Sequence, residues 1–285
     1  MERTDEFLTV DGTELHYSAW GDADAPPVVC MHGLSRVGRD FDPLARALAD
    51  EFRVLCPDAP GRGLSAWADD PADAYTNGAM ADLLVGFCDA LGLDRLRWVG
   101  TSMGGGLGIA LAGGPLADRI THLVVNDVSP DPTGDADPAA IDRIGEYVGD
   151  PPTVETVAAL EAYYRDCYEG RFSPMTDAEW HRFTATAMRR TDDGDVTVGY
   201  DPRIVVGLAD DQADDGGRDP YDVWAAIDAA VMILHGTDSG VLTDAALGRM
   251  LDRQPDATVL EVDSGHAPSL NVPAQTAPVR SFLVE

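Results

Sequence analysis

Pro27-Val28-Val29-Cys30-Met31 is apolar at every position. Alternating polarity would mark a strand with one wet face, whereas an unbroken run marks a strand covered on both faces. Further strand-like runs, most of them carrying a polar residue or two, recur at Phe52–Cys56, Leu96–Val99, Ile120–Asp127, Ala230–Leu234 and Thr258–Val262. Between them lie stretches with helical spacing, such as Phe41, Leu44, Ala45 and Leu48, or Leu83, Leu84, Phe87 and Leu91. Strands alternating with helices predict an α/β chain: a mostly parallel sheet with helices on both faces. Ahead of it, Glu6–Val10 and Thr13–Trp20, split by Asp11-Gly12, read as an N-terminal hairpin.

The alternation stops near Ser129. From there to Trp224 the sequence offers helical stretches (Ala139–Val148, Val154–Tyr168, Asp177–Arg190) broken by Pro, Gly and Asp clusters, with no buried strand among them. The expected organisation is a core of residues 1–128 and 225–285, with residues 129–224 inserted as a helical lid. Tyr163, Tyr164, Phe172, Trp180, Phe183 and Met188 supply its apolar content. They read as lid core before they read as substrate contacts.

One strand-to-helix junction carries chemistry. Gly100-Thr101-Ser102-Met103-Gly104 follows the Leu96–Val99 run and precedes a small-residue helical stretch. A serine on so sharp a turn stands at the rim of the sheet, with glycines where a Cβ would clash. Its hydroxyl needs a base to become a nucleophile. His266, in the loop after the last expected strand, can reach back to that rim; His16 and His122 lie in strands and His181 in the lid, where they read as structural. The partner acid has two candidates. Asp238 follows the penultimate strand and Asp127 ends the strand after the nucleophile helix; the usual position favours Asp238. The N–H groups of Met103 and Leu34 are placed to face a developing oxyanion. His32, just before Gly33, reads as structural. No metal-ligand spacing occurs, no cofactor is called for, and the four separated cysteines read as buried reduced thiols.

These residues resemble the α/β-hydrolase superfamily over essentially the whole chain. Val99–Gly105, Leu123–Pro130 and Gly265-His266-Ala267-Pro268 are most similar to capped bacterial serine hydrolases: esterases, enol-lactonases and hydrolases of meta-cleavage products. Tyr200-Asp201-Pro202 and Trp224 extend the likeness to the end of the lid. The resemblance implies an α/β-hydrolase fold with a helical cap, and cleavage of a small-molecule ester or lactone through an acyl-enzyme. Two alternatives are a carbon–carbon-bond hydrolase of vinylogous diketones or dienoates, and a slow-turnover ligand receptor on the same fold. A serine nucleophile argues against the dehalogenase and epoxide hydrolase branches, which use Asp there. That subgroup usually carries Arg-Gly-Glu-x-Ser-Asp after the penultimate strand; here Gly240 falls where its Asp would be, so the acid reads as shifted to Asp238. Arg189-Arg190 could clamp a substrate carboxylate, but reads first as a solvated helix end. A neutral or small apolar ester or lactone is the leading expectation.

Charge narrows the partners. Fifty acidic residues stand against 20 basic ones, and all 20 are arginine. A formal charge of −30 disfavours nucleic acid and anionic membrane surfaces. The polar, acidic Met1–Glu6 predicts no signal peptide and a cytoplasmic chain. Acidic pairs such as Asp69-Asp70, Asp192-Asp193, Asp210-Asp211 and Asp214-Asp215 read as solvated surface. Such a surface repels itself unless concentrated salt shortens the Debye length to about 3 Å at about 1 M. The expectation is a halophilic protein. Thermal melts across NaCl concentrations check it: Tm rises from low to molar salt, and a flat profile rejects the idea.

Overall fold

The computed structural model describes residues 2–206 and 219–285; the pairs Asp210-Asp211 and Asp214-Asp215 lie outside the described residues. The strands are β1 (Thr4–Val10), β2 (Thr13–Trp20), β3 (Pro27–Met31), β4 (Arg53–Pro57), β5 (Leu96–Thr101), β6 (Ile120–Asn126), β7 (Met188–Arg190), β8 (Val196–Val198), β9 (Ala230–Gly236) and β10 (Thr258–Val262). Eight of them form one sheet in the order β1-β2-β4-β3-β5-β6-β9-β10. The β1–β2 hairpin is antiparallel and joins β4 antiparallel; from β4 to β10 every pairing is parallel. This is the α/β-hydrolase fold expected from the sequence.

The unbroken apolar runs have a direct cause. Successive side chains of a strand point to opposite faces, so Val29 and Met31 enter one core while Val28 and Cys30 enter another. Trp98 and Val99 divide in the same way, as do Leu123 and Val124. The helices Asn77–Ala90, Met103–Ala112 and Asp244–Arg253 cover the first face. Asp42–Leu48 and Pro273–Val284 cover the second. All four cysteines are buried free thiols. Among the described residues, no helix is long and apolar enough to cross a membrane.

Between β6 and β9 the helices Pro138–Gly149, Val157–Tyr168 and Asp177–Thr186 build a third cluster around Tyr164, Tyr168, Trp180 and Phe183. The expectation of helices alone is corrected here. The last helix stops at Thr186 instead of running to Arg190, and β7 and β8 pair as a small antiparallel hairpin in which β8 is buried. Strands of three residues fall below the length at which alternation can be read.

The chain order sets where a site can form. From β3 the chain moves to β4 on one side and then returns to β5 on the other, so β3 and β5 part at a switch point. Crevices at such points, beyond the carboxyl ends of the strands, are where open α/β sheets bind ligands. Trp98 underlies this point, fully buried, with its Nε1–H donating to Gly104 O at 2.9 Å. Trp98→Ala should cost about 3–5 kcal/mol, checked by denaturant unfolding followed by circular dichroism.

Candidate active site

Ser102 sits between β5 and the helix Met103–Ala112 with φ 52° and ψ −118°. That is a strained conformation for a residue with a Cβ. Close packing enforces it. A Cβ on Gly100 would stand 2.0 Å from Gly104 O, and one on Gly104 would stand 2.1 Å from Met31 O. Only hydrogen fits at both positions, so the two glycines let the turn press against β3. The Ser102 N–H donates to Asn126 O at 2.9 Å, which ties the turn to β6.

The Ser102 hydroxyl donates to His266 Nε2 at 2.9 Å, and His266 Nδ1–H donates to Asp127 Oδ2 at 2.7 Å. A carboxylate on Nδ1 fixes the tautomer and leaves Nε2 as the acceptor. Asn126, one residue before Asp127, steadies the arrangement: its Nδ2 donates to Thr101 Oγ1 at 2.9 Å and to Pro268 O at 2.8 Å. The serine strand and the histidine loop are thereby held by one side chain.

The expectation that Asp238 partners His266 is corrected: Asp127 stands there. Asp127 is 0% exposed, and its φ of 62° turns the chain sharply as β6 ends. Its Oδ1 accepts the Gly236 N–H at 2.8 Å, and its Oδ2 also accepts the Ser239 hydroxyl at 2.6 Å. Asp238 is exposed, and its backbone N–H donates to Ser264 O at 3.0 Å. The reason lies in strand order. β6 lies next to β5, nearer the serine than β9, so a carboxylate ending β6 reaches the histidine directly. The loop after β9 supplies donors to that carboxylate instead of an acid. Ser239 was not singled out by sequence reasoning; its place immediately before Gly240, where the pattern's Asp is missing, was the available signal.

Leu34 lies in a turn closed by Arg36 N–H donating to Gly33 O at 3.1 Å. The same carbonyl accepts His32 Nδ1–H at 2.7 Å, while His32 Nε2 accepts the Ala59 N–H at 3.0 Å. Burial pushes the His32 pKa down to about 4, so the ring is neutral and both roles are fixed. A trans peptide sets its N–H opposite its C=O, so the Leu34 N–H faces away from the ring. Met103 opens its helix, where the first N–H groups have no intrahelical acceptor.

A cleft of about 830 Å³, including open solvent at its mouth, lies over Ser102 and Leu34. Tyr147, Tyr168, Phe172 and Phe183 of the β6–β9 insertion form its far wall, whereas Tyr164 and Trp180 stay in the insertion's own core. Two arginines line it. Arg36 donates through Nε and Nη2 to both Asp40 oxygens at 2.7 and 2.9 Å and packs 3.4 Å from the Phe183 ring centre, while its Nη1 is buried with no partner. Arg182 is half-buried and forms no ion pair among the described residues. Arg189 and Arg190 do not line this cleft. They are exposed on β7, Arg189 over the Trp67 ring at 4.6 Å and Arg190 donating to Gly194 O at 3.0 Å.

Residues 28–279 match the Alpha/beta hydrolase family. The chain is 34% identical to a 3-hydroxybutyrate-oligomer hydrolase of Cupriavidus necator, over 94% of this chain and 92% of that protein. It superposes on an alpha/beta hydrolase from Novosphingobium aromaticivorans with a TM-score of 0.87 and 31% identity, covering 99% of this chain and 98% of that one. The enol-lactonase from Burkholderia xenovorans shares the fold at a TM-score of 0.72 and 23% identity, covering 98% and 100%.

The geometry generates a pair of expected outcomes. Asp127→Asn should lower turnover by up to about 10⁴-fold, since an amide favours the wrong imidazole tautomer. Asp238→Asn should leave it within about threefold of wild type. Steady-state kinetics on one ester substrate distinguishes the two acids.

Proposed function

Since the chain belongs to the alpha/beta hydrolase family, we propose that this hydrolase cleaves carboxylic esters through an acyl-enzyme on Ser102. The carrying observation is the unbroken hydrogen-bond line from the Ser102 hydroxyl through His266 to the buried Asp127. Ser102 Oγ attacks the ester carbonyl as His266 Nε2 takes its proton. The N–H groups of Leu34 and Met103 receive the oxyanion, and the imidazolium then protonates the departing alcohol. Water, deprotonated by His266, attacks the acyl-serine and releases the acid. Asp127 Oδ2 accepts from His266 Nδ1–H and holds the imidazole in place in both halves. The helices between Pro138 and Thr186 act as the cap over the acyl group, whereas Tyr221 and Trp224, expected in the lid, pack in the first core of the sheet.

The Cupriavidus relative supports a short oligoester of hydroxy acids as the substrate class. Such a molecule ends in a free carboxylate. Arg182, which forms no ion pair among the described residues, gives the cleft a cationic group to meet it. Sequence alone favours a neutral ester or lactone; Arg182 favours a substrate that carries an acid.

Labelling with a fluorophosphonate should modify Ser102 and abolish turnover. No labelling rejects the acyl-enzyme, and labelling without measurable ester turnover favours the receptor reading. On a 3-hydroxybutyrate dimer, Arg182→Met should raise KM about tenfold, equivalent to about 1.4 kcal/mol, and leave the methyl ester of that dimer nearly unaffected. Equal effects on both esters reject the carboxylate contact.

A further inference from the structure

The glycine-rich loop Asp58–Ser65 takes no part in the chemistry described so far, yet its arginine lies against both proposed oxyanion residues. Arg62 is 0% exposed. Its Nε donates to Leu34 O at 2.9 Å and its Nη1 to Pro60 O at 2.7 Å, and its Nη2 approaches Met103 Sδ at 3.8 Å. The guanidinium carbon lies 5.4 Å from the Tyr75 ring centre. Among the described residues, no carboxylate accepts a hydrogen bond from it. Asp201 is the acid that acts on it through space, and that carboxylate is engaged elsewhere, by Arg203 Nη2 at 2.7 Å and by the Tyr75 hydroxyl at 2.9 Å. Burial pulls the Arg62 pKa down to about 10, which leaves it charged at neutral pH.

A buried cation without its own counter-ion is destabilising. A neutral residue of similar length could fill the same space among Tyr75, Met80 and Met103 at lower cost. Charge at this spot has a use in a reaction that forms an anion nearby. We propose that Arg62 is a positioning residue for the oxyanion site: its Nε holds the carbonyl of Leu34, the residue whose N–H is a proposed donor, and its permanent positive charge lies against Leu34 and the Met103 side chain. The inference rests on the acyl-enzyme reading and on Leu34 and Met103 as the oxyanion donors.

Arg62 does not line the cleft over Ser102, so it acts through Leu34 and Met103 and not on substrate. A fixed charge in a low-dielectric interior interacts more strongly than one in water, and it needs no reorganisation as the oxyanion forms. The ester itself is neutral at its carbonyl and gains little. The contribution therefore belongs to kcat and not to KM. Dissolved salt, which mutes the acidic surface, screens a buried charge far less.

The test compares Arg62→Met, Arg62→Gln and Arg62→Lys, with kcat expressed per serine titrated by fluorophosphonate, so that unfolded protein is not counted. A trifluoromethyl ketone ester analogue, which adds to Ser102 as a tetrahedral oxyanion, supplies the second readout. Met and Gln should lower kcat about 100-fold, with KM within about twofold and the analogue's Ki raised by the same factor as kcat/KM falls. Lys should recover part of both losses by keeping the charge. Gln keeps a hydrogen bond for Leu34 O, so it serves where Met prevents folding. Titrated kcat in Met or Gln within about threefold of wild type overturns the proposal. So does a loss of kcat in all three variants with an unchanged Ki, which marks a merely structural role. A wild-type protein that fluorophosphonate does not label fails the acyl-enzyme reading first, an outcome separate from these.

Discussion

A carboxylate with no access to water must find its stabilisation inside the protein, and Asp127 is such a group. Three donors surround it: the Gly236 N–H, the Ser239 hydroxyl and His266 Nδ1–H. They come from the end of β9, the loop after it and the loop after β10. Satisfying one buried charge thus requires three chain segments to meet within hydrogen-bond distance at the carboxyl ends of the strands. Removing any one of these donors would leave part of a buried carboxylate unpaired, a loss larger than that of an ordinary hydrogen bond. The histidine inherits its orientation from this assembly, and Ser102 meets an imidazole that has no freedom to turn. The glycine contacts that press the serine turn onto β3 fix the other end of the same line.

Much of this is legible in the residues alone. Continuous apolar runs marked doubly covered strands because two cores claim alternate side chains. The flanking glycines marked the serine turn because close approach tolerates nothing larger. Placing His266 after the last strand needed only the strand order. What could not be read was the identity of the acid. Asp127 and Asp238 both end strands at the correct edge, and choosing between them depends on which strand neighbours β5 and on a positive φ at Asp127. Neither quantity is local in sequence. The β7–β8 hairpin was hidden by its brevity. The helix Pro273–Val284 was hidden by Pro278, an internal residue that lacks the N–H for one intrahelical hydrogen bond and so argues against a helix. Thr76, which caps the helix beginning at Asn77 by accepting the Ala79 N–H, was a usable signal that apolar spacing alone passes over.

Function in this chain is divided between two bodies of packing. The sheet and its two cores hold Ser102, His266 and Asp127, the proposed reacting groups, while the aromatic walls of the cleft belong to the β6–β9 insertion. Arg36 joins them, with its carboxylate partner Asp40 in the sheet domain and its guanidinium face on Phe183 of the insertion. Leu34 also borders the insertion's cluster, so the residue proposed to receive the oxyanion touches the wall that is proposed to receive the acyl chain.

The third hydrophobic cluster has a consequence for how the chain tolerates substitution. Apart from Tyr75, its fully buried members all fall between Val148 and Ile204, and none belongs to either face of the sheet. Substitutions deep within that cluster and substitutions under the sheet have few neighbours in common, so their costs add nearly independently. Away from Leu34 and Arg36, where the two bodies touch, the aromatic wall can therefore be resized with little added cost to the sheet that holds Ser102.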